Sequence, residues 1–112
     1  GETGTIEVLK RKEIDAMFVL GSDPGAHFPM QCVKEISGLP SVAVDPHITP
    51  TTEICKVHVP VAFVGVEVGG NCYRMDNVPI EARKVVEPPE GMMTDVEFLS
   101  AVLKRVKELK AN

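Results

Sequence analysis

Long apolar runs are missing from this sequence. None approaches the roughly 18 residues that a membrane-spanning helix needs, so no transmembrane segment is expected. A basic stretch leading into an apolar core, the mark of a secretory leader, is missing too. Clustered positive charge is scarce. The formal net charge is -4, with 12 Lys and Arg dispersed among 16 Asp and Glu, and that excludes the basic footprint of a nucleic-acid binder. Cysteine is limited to Cys32, Cys55 and Cys72. An odd set so widely spaced makes neither a disulfide framework nor a CxxC metal pair, and free thiols suit a reducing cytoplasm. No repeat or low-complexity tract occurs. The initiator Met is absent and a helical pattern begins soon after Gly1, so a piece of a longer polypeptide is expected. The 112 residues suffice for one α/β domain, spanning residues 1–112, with one modest core.

What is present is a pair of short apolar runs that each stop in a Gly/Pro/Asp loop. Phe18-Val19-Leu20 runs into Gly21-Ser22-Asp23-Pro24-Gly25, and Val42-Ala43-Val44 runs into Asp45-Pro46-His47. Such runs read as buried parallel strands, here over Ile14 to Leu20 and Ser41 to Asp45. Between them Pro29 opens a helix with Met30, Val33 and Ile36 on one face, and Gly38 and Pro40 end it. An amphipathic helix with Ile6 and Leu9 precedes the first strand. Thr49-Pro50 reads as an N-cap followed by Pro at the first helical position, with Glu53 in the first turn. A third strand from Val57 ends near Pro60. Beyond it, Val64 to Val68 alternates with period two before a Gly69-Gly70 turn. Tyr73 to Asn77 and Arg83 to Val86 read as extended pieces of a hairpin or arm. Thr94-x-x-Glu97 is a capping box, and the helix after it carries Leu99, Val102, Leu103, Val106 and Leu109 on one face. The expected class is α/β: a small Rossmann-like three-layer domain with a mostly parallel sheet and a C-terminal helix.

Open α/β sheets bind ligands at the carboxyl ends of their strands, which puts the candidate chemistry after Leu20 and after Val44. Gly21 to Gly25 is neither a GxGxxG fingerprint nor a P-loop. Its glycines would let backbone approach a ligand, or it is a plain strand-to-helix turn. Asp45 can accept paired N–H groups or a ribose hydroxyl pair, or it is a solvated loop carboxylate. His27 and His47 follow these two loops and are candidate ligand contacts facing one crevice rather than metal ligands. The spacing of His27, His47 and His58 matches no zinc pattern, and His58 reads as a satisfied structural histidine. Cys32 and Cys55 read as small buried hydrophobes, and Cys72 falls in a turn. Glu67 is a surface carboxylate of a half-buried strand or faces a partner subdomain. Neither a catalytic residue nor a metal ligand is expected in this chain.

The order of these motifs resembles the molybdopterin and tungstopterin oxidoreductases of the dimethyl sulfoxide reductase family. Members share a G-x-[ND]-P loop after a strand, an acidic strand end, a Thr-rich turn, a segment ending in V-x-x-P, and a Glu- and Gly-rich stretch. Here these are Gly21 to Pro24, Val44-Asp45, Thr49-Pro50-Thr51-Thr52-Glu53, Val57-His58-Val59-Pro60 and Glu67 to Asn71. The longer strings Gly21 to Pro29, Asp45 to Glu53 and Tyr73 to Ile80 resemble, within it, the B subunits of the archaeal formylmethanofuran dehydrogenases. The resemblance runs from about Ile6 to Leu109.

The resemblance implies a tungsto- or molybdo-bis(pterin guanine dinucleotide) cofactor and an iron–sulfur cluster in the parent subunit. It implies the reductive fixation of carbon dioxide as formylmethanofuran in methanogenesis, with the remainder of the B subunit and the other subunits of the complex as partners. Cluster cysteines and the metal-ligating Cys or selenocysteine lie upstream in the family. This chain is then a carboxyl-terminal part, inactive alone, whose crevice holds one dinucleotide through Gly21, Ser22, Asp23, Pro24 and Asp45, with His47, Thr49 and Thr52. It departs from the family where Cys55-Lys56 replaces the usual Ala-Asp before the third strand. An apolar contact patch is expected around Val61–Val66 and Tyr73–Met75. Two other readings share the α/β pattern. One is an ordinary nucleotide-binding module. The other is a structural domain with no redox role, like the central domains of some thiamine-diphosphate enzymes.

Overall fold

A computed structural model describes residues 4–112. They form two compact units, one ending at Pro60 and one running from Val61 to Asn112. The first unit contains α1 (Thr5–Arg11), β1 (Met17–Leu20), α2 (Pro24–His27), α3 (Met30–Gly38), β2 (Ser41–Val44), α4 (Pro50–Ile54) and β3 (Val57–Val59). Its strands form a parallel sheet in the order β1-β2-β3. The second contains a two-stranded antiparallel hairpin, β4 (Gly70–Tyr73) with β5 (Pro79–Ala82), and the helix α5 (Asp95–Ala111). The chain is α/β with a parallel sheet and a carboxyl-terminal helix, as the apolar runs predict. Among the described residues no helix is long and apolar enough to cross a membrane.

The core of the first unit is a helical layer on one face of the sheet. Leu9 of α1 and Cys32 and Ile36 of α3 are fully buried together, with Ile6, Ile14, Met17, Phe28, Leu39, Ile54 and Cys55 packed around them. Cys32 is a packed apolar side chain, as expected of a thiol on a helix face; its thiol donates weakly to the Ile6 carbonyl at 3.8 Å. The face that α3 buries is set by Cys32 and Ile36, whereas Met30 is 67% exposed. The expected Met30–Val33–Ile36 stripe is therefore rotated. Pro29 and Phe28 enter the helix from the α2 turn, and the first residue of α3 points outward. Strand β1 begins at Met17 rather than Ile14, because pairing starts where β2 starts: Met17 lies opposite Ser41, and the Met17 N–H donates to the Pro40 carbonyl at 2.9 Å. Ile14 joins the helical core instead.

The second unit departs further from the sequence reading. Val64 to Val68 alternates in sequence but is a tight loop, not a strand. Gly65 adopts φ +82, the Glu67 and Val68 amides both donate to the Phe63 carbonyl, and the Glu67 carboxylate accepts the Phe63 N–H at 2.8 Å. Glu67 thus closes its own loop. The hairpin is real but shifted. Cys72 lies within β4, while Arg74 to Asn77 makes the turn, with Asn77 at φ 61 and an Arg74–Asp76 ion pair at 2.6 Å. Arg83 to Val86 follows β5, and the Val85 and Val86 amides donate to the Val66 carbonyl. The capping box at α5 forms in both directions between Thr94 and Glu97. Val61 and Ala62 are buried, whereas Phe63, Val64, Val66, Tyr73 and Met75 are exposed, so the expected apolar patch starts at Phe63.

Removing a fully buried Ile side chain leaves a cavity that packed helices fill only partly. Ile36→Ala is expected to cost about 2–5 kcal/mol in urea denaturation, and Met30→Ala to stay within about 0.5 kcal/mol. Equal costs would return Met30 to the core face.

Candidate functional site

The two loops singled out in the sequence come together at the carboxyl ends of β1 and β2. Leu20 lies opposite Val44 in the parallel register, so the chain leaves both strands at the same level of the sheet. Gly21 turns back with φ +54 and donates its N–H to the Val44 carbonyl at 3.0 Å. A Cβ added at Gly21 would meet nothing within 4 Å. The glycine is therefore required by its left-handed backbone, and the space beside it is open.

Asp23 joins the first loop to α4, which follows the second. Its Oδ1 accepts the Thr51 hydroxyl at 2.5 Å and the Thr51 N–H at 3.1 Å. The same hydroxyl oxygen accepts the Gly25 N–H at 2.8 Å. Thr51 is fully buried and Asp23 is half-buried, so the donor side of this tie is dry while the carboxylate still meets solvent. A Cβ on Gly25 would lie 2.7 Å from the Thr51 nitrogen and 2.8 Å from the Pro50 carbonyl carbon. Glycine at this position is what lets α2 seat against α4. The Thr51 hydroxyl is the main cause holding the Asp23 carboxyl below its ordinary pKa, against the opposing effect of burial.

The second loop is organised around Asp45, a buried residue that directly follows β2. Its Oδ1 accepts the His47 N–H at 2.9 Å, and the His47 Nδ1 lies 3.5 Å from the same oxygen. His58, from the neighbouring strand, donates through Nε2 to the Asp45 carbonyl at 2.9 Å. This partner satisfies His58, as its place on a strand suggested. His27 bonds through Nδ1 to the Asp23 carbonyl at 2.7 Å. Each loop histidine is thus tied to the acidic residue of its own loop. Thr49 and Thr52 form the reciprocal cap of α4, with Thr49 N–H to Thr52 Oγ1 at 2.8 Å and Thr52 N–H to Thr49 Oγ1 at 3.2 Å. Pro50 occupies the first helical turn.

Of the sequence-derived site residues, Gly21, Ser22, Asp23, Pro24, Asp45, His47, Thr49 and Thr52 all sit at this one end of the sheet. They divide by what their polar atoms do. Gly21 and Ser22 are exposed, and Asp45 presents a carboxylate beside exposed His47. Pro24 is buried, and Asp23, Thr49 and Thr52 hold the loops in shape. The sequence reading missed Thr51 and Gly25. The available signal was the Thr51-Thr52 doublet: one threonine completes the cap, which leaves its neighbour facing inward.

Two measurements follow. Gly25→Ala forces backbone apart and is expected to destabilise by about 1–3 kcal/mol or more, whereas Gly38→Ala, with nothing within 4 Å of the new Cβ, should be neutral or stabilising in the same urea titration. The Asp23 shift has a pH signature. A carboxyl whose pKa is lower folded than unfolded contributes its full stability above the unfolded value and loses it as pH falls toward the folded value. Thr51→Val removes the main cause of that shift. The variant should therefore lose less further stability than the parent chain when pH is lowered through about 4; identical acid limbs would contradict the assignment.

No protein-family model matches the chain. Among curated proteins, it is 50% identical over 109 residues to the B subunit of tungsten-containing formylmethanofuran dehydrogenase 2 of Methanocaldococcus jannaschii, covering 97% of this chain and 25% of that protein. It is 46% identical over 110 residues to the protein of the same name from Methanococcus maripaludis, covering 98% of this chain and 25% of that protein. Matches of this length take in both units and both strand-end loops. Over nearly its whole length the chain is thus similar to formylmethanofuran dehydrogenase B subunits, and it spans about a quarter of the length of the relatives it matches.

Proposed function

We propose that this segment forms one wall of the pocket that holds a guanine dinucleotide arm of a tungsto- or molybdo-bis(pterin guanine dinucleotide) cofactor. The parent would be the B subunit of a formylmethanofuran dehydrogenase, working with the other subunits of its complex in the reductive fixation of carbon dioxide as formylmethanofuran. One observation carries the reading. The Gly21–Pro24 loop and the Asp45–Thr52 loop lie side by side at the carboxyl edge of a parallel sheet, tied by the Asp23–Thr51 bonds. That edge is where open α/β sheets take nucleotides.

The residues present suit such a group. The open space beside Gly21 admits a ligand close to backbone, and Ser22 adds an exposed hydroxyl. Asp45, with one oxygen engaged by the His47 amide, keeps acceptor capacity for a ribose hydroxyl pair or the N–H groups of a guanine edge. The exposed His47 ring lies beside it. Asp23, Pro24, Thr49 and Thr52 hold these groups in place. The bound metal–pterin group would supply the redox chemistry, and the protein's share is to bind and orient it. Among this chain's residues none is assigned a catalytic step, so the chain alone is expected to show no formylmethanofuran or formate oxidation with viologen dyes.

Nuclear magnetic resonance of the labelled chain tests the binding role. Titration with GDP should move the amides of Gly21, Ser22, Asp45 and His47 before those of α5, with weak affinity because only part of the pocket is present. Asp45→Asn should weaken the response while leaving the spectrum dispersed. Shifts scattered over both units, or none at saturating nucleotide, would overturn the proposal.

A further inference from the structure

Asp45 directly follows β2, where the ladder of the parallel sheet runs out. Its N–H still has a strand partner, the Val59 carbonyl at 3.2 Å. For its carbonyl the strand has no donor to continue with: β3 ends at Val59, and Pro60 has no N–H to give. A side chain fills the gap. His58 Nε2 lies 2.9 Å from the Asp45 carbonyl oxygen, and because a carbonyl only accepts, Nε2 carries the hydrogen. Both backbone polar groups of Asp45 are therefore held by β3, one through its main chain and one through the imidazole.

This bond has a directional consequence. Asp45 is buried and His58 half-buried, and a buried carbonyl requires a partner. With the N–H and the carbonyl of Asp45 both fixed, its side chain leaves the strand end in a fixed direction. The carboxylate then reaches forward along its own loop, where Oδ1 accepts the His47 N–H at 2.9 Å and the His47 Nδ1 lies 3.5 Å away. An apolar residue would suit a strand position flanked by Val57 and Val59 equally well, but it could not donate.

We infer that His58 is the positioning residue of the Asp45 loop: by holding the Asp45 carbonyl, its Nε2–H sets the direction in which the Asp45 carboxylate is presented at the carboxyl edge of the sheet. The use made of that carboxylate rests on the nucleotide reading above, in which Asp45 accepts a ribose hydroxyl pair or a guanine edge. His58 acts through Asp45 and not by contact with the ligand.

Three variants of the labelled 112-residue chain test this by nuclear magnetic resonance. His58→Phe keeps a flat ring and removes the donor. His58→Gln returns an N–H at nearly the same reach. Ile36→Ala destabilises the same unit away from the loop. Without ligand, the His47 amide reports on the Asp45 carboxylate that accepts its hydrogen. Its proton resonance should move upfield in His58→Phe, return in His58→Gln and stay in place in Ile36→Ala. With GDP, the dissociation constant should rise about fivefold in His58→Phe, the scale of one net hydrogen bond, and match the parent chain in His58→Gln. A His47 amide unmoved in folded His58→Phe, or moved equally by Ile36→Ala, would overturn the inference. So would His58→Gln behaving as His58→Phe does. Should His58→Phe fail to fold, the ring nitrogens of His58 in the parent chain decide, and an Nε2 without a hydrogen would overturn it. GDP that moves nothing in the parent chain would overturn the nucleotide reading, while the His47 amide would still decide the role of His58.

Discussion

Thr51 reaches from α4 into the loop that follows β1, and the positions of both strand-end loops depend on the bonds it makes there. Its hydroxyl gives a hydrogen to the Asp23 carboxylate and takes one from the Gly25 amide, while its own amide donates to the same carboxylate oxygen. Bonds to an ionised acceptor are stronger than neutral ones, and the Thr51 side of the tie is fully buried. Two constraints make the tie possible. Gly25 has no side chain where one would strike the backbone of Pro50 and Thr51. The Thr49–Thr52 cap fixes the start of α4, so that Thr51 must face inward. A short helix of this kind has little stability of its own; the tie and the cap supply it with partners at both its side and its end.

This arrangement separates two tasks at one sheet edge. Asp23 commits one carboxylate oxygen to internal structure, and the Thr51 hydroxyl bonded to it holds the carboxyl below its ordinary pKa. Asp45 shapes its own loop through the His47 amide at the end of the neighbouring strand. A loop held by buried bonds is preorganised, and preorganisation reduces the ordering cost that binding would otherwise carry. The chemistry proposed for the full-length protein thus needs little from this segment beyond fixed geometry.

Much of the first unit was legible because its signals are local. Apolar runs ending in Gly, Pro and Asp marked β1 and β2, and Thr49-Pro50 marked α4 by the ordinary chemistry of helix starts. What failed there depended on partners distant in sequence. The start of β1 is set by Ser41, and the buried face of α3 is set by Leu9 of α1 rather than by the spacing of Met30, Val33 and Ile36. The second unit was harder. Val64 to Val68 alternates as a strand does, yet Gly65 and the Glu67 carboxylate close it into a loop, and period-two patterning cannot register a side chain that bonds its own backbone. In the site, the strand-end residues were legible by type. Thr51 was legible only indirectly: the Thr49 cap engages Thr52 and leaves Thr51 to turn inward, but its partner Asp23 lies 28 residues away.

The central claim is that Asp23 and Thr51 act as one unit. A double-mutant cycle on Asp23→Ala, Thr51→Val and the pair, followed by urea denaturation at neutral pH, measures this directly. The account predicts strongly non-additive effects, with a coupling of about 1–3 kcal/mol, because either single change removes the same charge-assisted bond. Additive effects, agreeing within about 0.5 kcal/mol, would show that the two residues stabilise the chain separately and would contradict it.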